Sequence, residues 1–93
     1  MMEKMKQTLM ERGYTEKQAA FVASDLLKLD DNLKNGLQRW LVSGEETDYT
    51  IEGVRLSELK RKFGMTYPAA LLSMDWIVKE PELAMKSINR GIR

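Results

Sequence analysis

The chain of 93 residues predicts an all-α fold of about six short helices, and three observations carry that expectation. Apolar residues recur at helical spacing along most of the sequence. Glycines fall where those periodic runs stop, and β-branched residues are sparse. Only Tyr49-Thr50-Ile51 and Val54-Arg55-Leu56, around Glu52-Gly53, suit a short extended pair.

The first helix is expected from Met2 to Arg12, with Met2, Met5, Leu9 and Met10 on one face and Gly13 at its end. Thr15 reads as the next N-cap, with Gln18 three residues on to complete a capping box. This second helix should run to about Leu29, with Ala19, Val22, Ala23, Leu26 and Leu27 as its inner stripe and Phe21 and Leu29 widening it. Asp30 or Asp31 caps a third helix, in which Leu33, Leu37, Trp40 and Leu41 share a face and Gly44 makes the stop. Residues 44–50 are polar and read as a linker between a front part, residues 1–43, and a second three-helix part, residues 51–93, of one domain.

In the second part Ser57 is the expected cap of a fourth helix that carries Leu59 and Phe63 and ends at Gly64. Thr66 or Tyr67 caps the fifth, with Pro68 in its first turn, where a missing N–H does no harm. Its residues Ala69, Ala70, Leu71, Leu72, Met74, Trp76, Ile77 and Val78 surround most of the helix, the pattern of a core helix, with Asp75 as its central charge. It should stop near Lys79, because the residue before Pro81 avoids the helical region. Pro81 then opens a sixth helix with Ala84, Met85 and Ile88 inward and Gly91 after it.

Composition narrows the chemistry. A 43% hydrophobic and 31% charged chain is that of a globular domain, not a disordered one. There is no cysteine and no histidine, which removes disulfides, thiolate zinc sites, cysteine nucleophiles and imidazole bases. No catalytic motif joins the remaining carboxylates, lysines and hydroxyls, so the expectation is a protein that is not an enzyme and takes no cofactor or metal. Glu45, Glu46 and Asp48 lack the alternating ligand spacing of a calcium loop and read as a solvated linker. No apolar run approaches the ~20 residues that span a bilayer, and the start Met-Met-Glu-Lys-Met-Lys lacks the pattern of a secretory signal. A cytoplasmic protein without membrane contact is the expectation.

Net charge is +1, with the positive excess in residues 51–93. The run Lys60-Arg61-Lys62, followed by Gly64 and a further helix, has the outline of a helix-turn-helix. Those three residues are the candidate contact for an anionic partner, although such a run is more often a solvated helix face. The helix that would read bases is apolar and lacks the Arg, Asn or Gln needed at base edges. Seven methionines, among them Met65, Met74 and Met85, suit either gap-filling in a small core or an adaptable surface.

The segment from Leu9 through Glu11-Arg12-Gly13-Tyr14-Thr15 to Ala19, ending in Leu37-Gln38-Arg39-Trp40-Leu41-Val42, resembles the ubiquitin-associated (UBA-like) three-helix domain. Gly13, Tyr14, Ala19, Trp40 and Leu41 match the family pattern, whereas Arg12 stands where the family has methionine. The resemblance implies a partner-binding surface at Arg12, Gly13, Tyr14, Leu41 and Val42. Ubiquitin is one ligand in that family, and a translation factor is another, in bacterial elongation factor Ts. The plainer alternative is that Gly13 only ends a helix and Tyr14 only plugs the core. Ile51-Glu52-Gly53-Val54, Gly64-Met65, Ala70-Leu71-Leu72, Asp75-Trp76-Ile77 and Pro81-Glu82-Leu83-Ala84 together resemble short uncharacterised proteins of Firmicutes and their mobile elements. That likeness implies a bacterial or phage setting.

The function expected from these readings is binding of a protein partner by a small regulatory or inhibitory protein, for example an inhibitor of the anti-CRISPR type. The alternative is a helix-turn-helix regulator that binds DNA.

Overall fold

The helix whose apolar residues run nearly all round it lies at the centre of the molecule. The computed structural model describes the backbone of residues 2–92 and the side chains of residues 3–89. In chain order come α1 (Met2–Glu11), α2 (Glu16–Leu26), α3 (Asp31–Ser43), the strands β1 (Thr50–Ile51) and β2 (Val54–Arg55), α4 (Leu56–Phe63), α5 (Tyr67–Lys79) and α6 (Pro81–Ile92). The strands pair antiparallel, Thr50 with Arg55 and Ile51 with Val54. The protein is therefore predominantly all-α.

Local sequence explains most helix starts. Thr15 and Gln18 form the reciprocal capping box, Asp30 accepts from the Asn32 N–H, and Thr66 accepts from the Ala69 N–H with Pro68 in the first turn. Each side-chain acceptor satisfies an N–H that the helix itself leaves unpaired. The expected face of α1 lies inward at Met5 and Leu9, while Met10 is exposed and the side chain of Met2 lies outside the described residues.

α5 contacts α2, α3, α4, α6 and β1. Its Ala70, Leu71, Met74 and Ile77 are buried, together with Tyr67 and Pro68 in its first turn. Around them a single buried cluster gathers Leu9, Leu26, Leu33, Leu37 and Trp40 from the front half with Leu56, Leu59, Ala84 and Ile88 from the rest. The Trp40 and Tyr67 rings meet at 6.0 Å and join the halves directly. Residues 44–50 do not hang loose between them. Tyr49 donates its hydroxyl to the Asn32 carbonyl at 2.6 Å, and Tyr67 donates to the Thr47 carbonyl at 2.7 Å. The Tyr49 ring lies across α3 at Gly36, where a Cβ would fall 2.7 Å from a ring carbon. Only glycine lets the ring approach this closely.

Five expectations need correction. α2 ends at Leu26, not near Leu29, and Leu27 to Leu29 form a turn. The physical reason is Asp75: its Oδ1 accepts the Asp30 N–H at 3.0 Å, which turns the chain out of the helix and drops Leu29 into the core. Ser57 is not the cap of α4, because it already stands inside the first turn. The acceptor comes from Asp48, whose Oδ1 takes the Ser57 N–H at 2.9 Å and whose Oδ2 takes the Ser57 hydroxyl at 2.8 Å. Asp48 and Glu46 are thus engaged acceptors, not a freely solvated linker. Phe21 does not widen the inner stripe of α2; it is 75% exposed, and Leu27, Phe63 and Val78 also reach solvent. α6 continues through Gly91 to Ile92 instead of stopping before the glycine.

Asp75 is the one buried charged residue among those described. Its Oδ2 accepts from the Lys79 ammonium at 2.6 Å, and the same ammonium donates to the Lys28 carbonyl at 2.7 Å. The pair therefore clasps the α2–α3 turn onto α5 from two sides.

Two substitutions test this packing by denaturant unfolding. Leu37→Ala should cost ~2–5 kcal/mol, as large-to-small core truncations do. Asp75→Ala should cost ~1–3 kcal/mol by stranding the Asp30 N–H, and Asp75→Asn less, because an amide oxygen can still accept. Equal losses for the two Asp75 variants would show that the N–H contact contributes nothing.

Candidate functional site

The loop between α1 and α2 is built by a helix-ending motif. The Gly13 N–H bonds the Met10 carbonyl and the Tyr14 N–H bonds the Leu9 carbonyl, both at 3.1 Å, with Gly13 at φ 104°. This is the Schellman arrangement, which places the residue after the glycine against the third residue from the helix end, here Tyr14 toward Leu9.

Arg12 is brought to the end of α3. Its guanidinium lies 4.7 Å from the centre of the Trp40 ring and donates to the Trp40 carbonyl at 3.2 Å. A cation over an indole face and at a helix C-terminus gains from both the ring quadrupole and the helix dipole. Tyr14 is half-buried, and its hydroxyl hydrogen-bonds the Thr66 hydroxyl at the cap of α5. The resemblance-based set is thus gathered at one end of the front half, but Arg12 and Tyr14 spend their polar groups on their own chain. Leu41 is half-buried, and Val42 is 83% exposed.

Lys60, Arg61 and Lys62 sit in the last turn of α4, where cations complement the helix C-terminus. Lys60 pairs with Glu46, and Lys62 pairs with Glu58 at 3.1 Å. Among the described residues, Arg61 alone of the three forms no ion pair. A run that reads as triply positive therefore presents little net charge.

An apolar groove of about 570 Å³ opens between α1 and α3. Met5 and Thr8 stand on one wall, and Leu41 and Val42 on the other. Leu26 and Leu37 are buried beneath, and Leu27, at the end of α2, closes one end. The groove exists because α1 packs chiefly on α2 while α3 packs on α5, so the two outer helices diverge. Lys4, Lys34 and Gln38 stand around it, and no carboxylate lines it. Leu41 and Val42 had been expected at a binding surface; Lys4, Leu27 and Lys34 had not. Their signal was faint: Leu27 lies at the edge of the apolar stripe of α2, and nothing in the sequence pattern marks Lys4 or Lys34.

Two groups carry shifted acidities. Burial pushes the Asp48 carboxyl up, but the hydrogen bonds from Ser57 and Tyr49 and the charge of Arg55 outweigh it, and the net effect is downward from 3.8. Burial, with Tyr49 and Glu46 nearby, raises the Tyr67 hydroxyl from 10.0 to about 12. No group of three or more potential metal ligands occurs among the described residues. No described helix is long and apolar enough to cross a membrane. Compared with protein-family models, curated proteins and solved structures, the chain shows no match.

Both shifts make the stability of the fold depend on pH. Asp48 binds its proton less readily folded than unfolded, so its stabilisation is present above pH 3.8 and is lost as pH falls through the folded value. Tyr67 holds its proton more tightly folded, so its contribution is present below pH 10.0 and is lost as pH rises toward about 12. Melting profiles of Asp48→Asn should show a shallower acid limb than the wild type, and those of Tyr67→Phe a shallower alkaline limb. Parallel limbs in variant and wild type would rule out these two groups as the cause.

Proposed function

We propose that this protein acts by binding another protein, through the apolar groove between α1 and α3 and the end of α3 beside it, and that it performs no catalysis of its own. The observation that carries the reading is Val42, an aliphatic side chain 83% exposed at the mouth of a groove with a leucine-lined floor. Single exposed apolar residues are ordinary, but one that continues an apolar concavity marks an interaction site. The likeness of the first 43 residues to UBA-like docking modules supports the same reading, with a shift of emphasis. Arg12 and Tyr14 hold the loop in place, and Leu41 and Val42 make the contact. A cytoplasmic regulatory or inhibitory role, in a bacterial or phage setting, fits a small protein of this kind.

The DNA-binding alternative loses support from the same geometry. The helix that would enter a groove is the buried α5, and two of the three cations before it are paired.

The test is affinity capture from host extract with wild type and Val42→Glu side by side. The side chain is exposed, so the variant should melt like the wild type. A partner held by the wild type should be lost with Val42→Glu, a drop of ~tenfold or more for an anchor residue. Capture unaffected by Val42→Glu, together with salt-sensitive duplex DNA binding that is lost on Lys60→Glu with Arg61→Glu, would give the case to DNA binding.

A further inference from the structure

We propose that the groove between α1 and α3 receives one amphipathic α-helix of the partner, with acidic residues flanking its apolar stripe. The inference rests on the protein-binding reading above and adds the chemistry of what is bound. Three features point to it.

The first is the backbone. Both walls are helices, α1 and α3, and outside their end turns the N–H and C=O groups are already used within the helices. An extended peptide laid between them would find no ladder to join and would have to bury unpaired backbone groups. A helix satisfies its own backbone and needs only side-chain contact.

The second is the placing of polar groups. A small-molecule pocket carries a few convergent polar groups inside an apolar shell. Here the interior is Met5, Leu26 and Leu37, and the Thr8 hydroxyl is already bonded to the Lys4 carbonyl at 3.0 Å. The lining of α3 runs from Lys34 to Val42, which at ~1.5 Å per residue is about 12 Å, a little over two helical turns. That length matches anchors at positions i, i+3 or i+4, and i+7 of a docked helix.

The third is charge. Lys4 stands on the α1 side and Lys34 on the α3 side, and neither forms an ion pair among the described residues. With no carboxylate in the lining, both long sides favour acidic neighbours and disfavour basic ones.

The probe is a synthetic helix-forming peptide with leucines at i, i+4 and i+7 flanked by glutamates, and its counterpart with lysines in place of the glutamates. Binding to the full chain is read by fluorescence anisotropy, and its place by amide chemical shifts. The glutamate peptide should shift the amides of Met5, Leu37 and Leu41 and bind roughly tenfold tighter than the lysine peptide, as expected when two exposed ion pairs replace two repulsions. Lys4→Glu with Lys34→Glu, whose melting serves as the control for folding, should invert that order. The inference is overturned if the glutamate peptide leaves the groove amides unmoved, or if the two peptides bind alike before and after the charge exchange. It is also overturned if those amides shift on concentrating the protein alone, which would make a second copy the occupant. Failure here with capture still lost in Val42→Glu removes the acidic helix and leaves the protein-binding reading standing. Peptide binding in the groove with capture indifferent to Val42→Glu removes the reading of the partner and not that of the groove.

Discussion

Asp75 stands in the middle of a helix that is otherwise apolar on nearly every side, and both of its oxygens are taken. One accepts the Asp30 N–H, and the other holds the Lys79 ammonium, which reaches on to the Lys28 carbonyl. Burying a carboxylate is costly unless every lone pair it turns inward finds a donor. Here the donors come from the turn between α2 and α3, so the cost is offset only when that turn sits in one place. The clasp decides where α2 stops and sets the direction in which α3 leaves.

That direction governs the candidate surface. α1 follows α2 through the capping box and the Gly13 loop, while α3 follows α5 through Trp40 and Tyr67. The space between α1 and α3 is what remains when each obeys a different neighbour. Arg12 then bridges the far end by stacking on Trp40. Arg12 thus closes the loop between α1 and α2 onto the fold.

Much of this was legible in the sequence because the signals are short in range. The capping box at Thr15, the caps at Asp30 and Thr66, the stop at Gly13 and the all-round apolar pattern of α5 each lie within a few residues of the feature they specify. The misreadings have the opposite character. Where α2 stops depends on Asp75, 45 residues away from Asp30. The cap of α4 comes from Asp48, across the ribbon from Ser57. Phe21 is the exception: at ~100° per residue it falls about 200° round α2 from Ala19, opposite the stripe of Ala19, Ala23 and Leu26, so the helical period itself, read strictly, places it outside. For the surface, a resemblance pointed to Leu41 and Val42, and composition pointed to the lysine run. Neither could show that the run is paired or that Lys4 and Lys34 share a groove, since both facts belong to tertiary packing.

The pinned segment at residues 44–50 has a consequence for how the chain may be divided. Its Tyr49 ring packs against the core, and Asp48, the Tyr49 hydroxyl and the Thr47 carbonyl fasten it to α4, α3 and α5. A backbone cut there would not release two modules, because the front half leaves its leucines without α5 and the rear half leaves α5 bare on two sides. Such fragments would be complementary halves that gain order on reuniting, so reassociation itself could serve as a reporter of proximity between whatever each half is fused to.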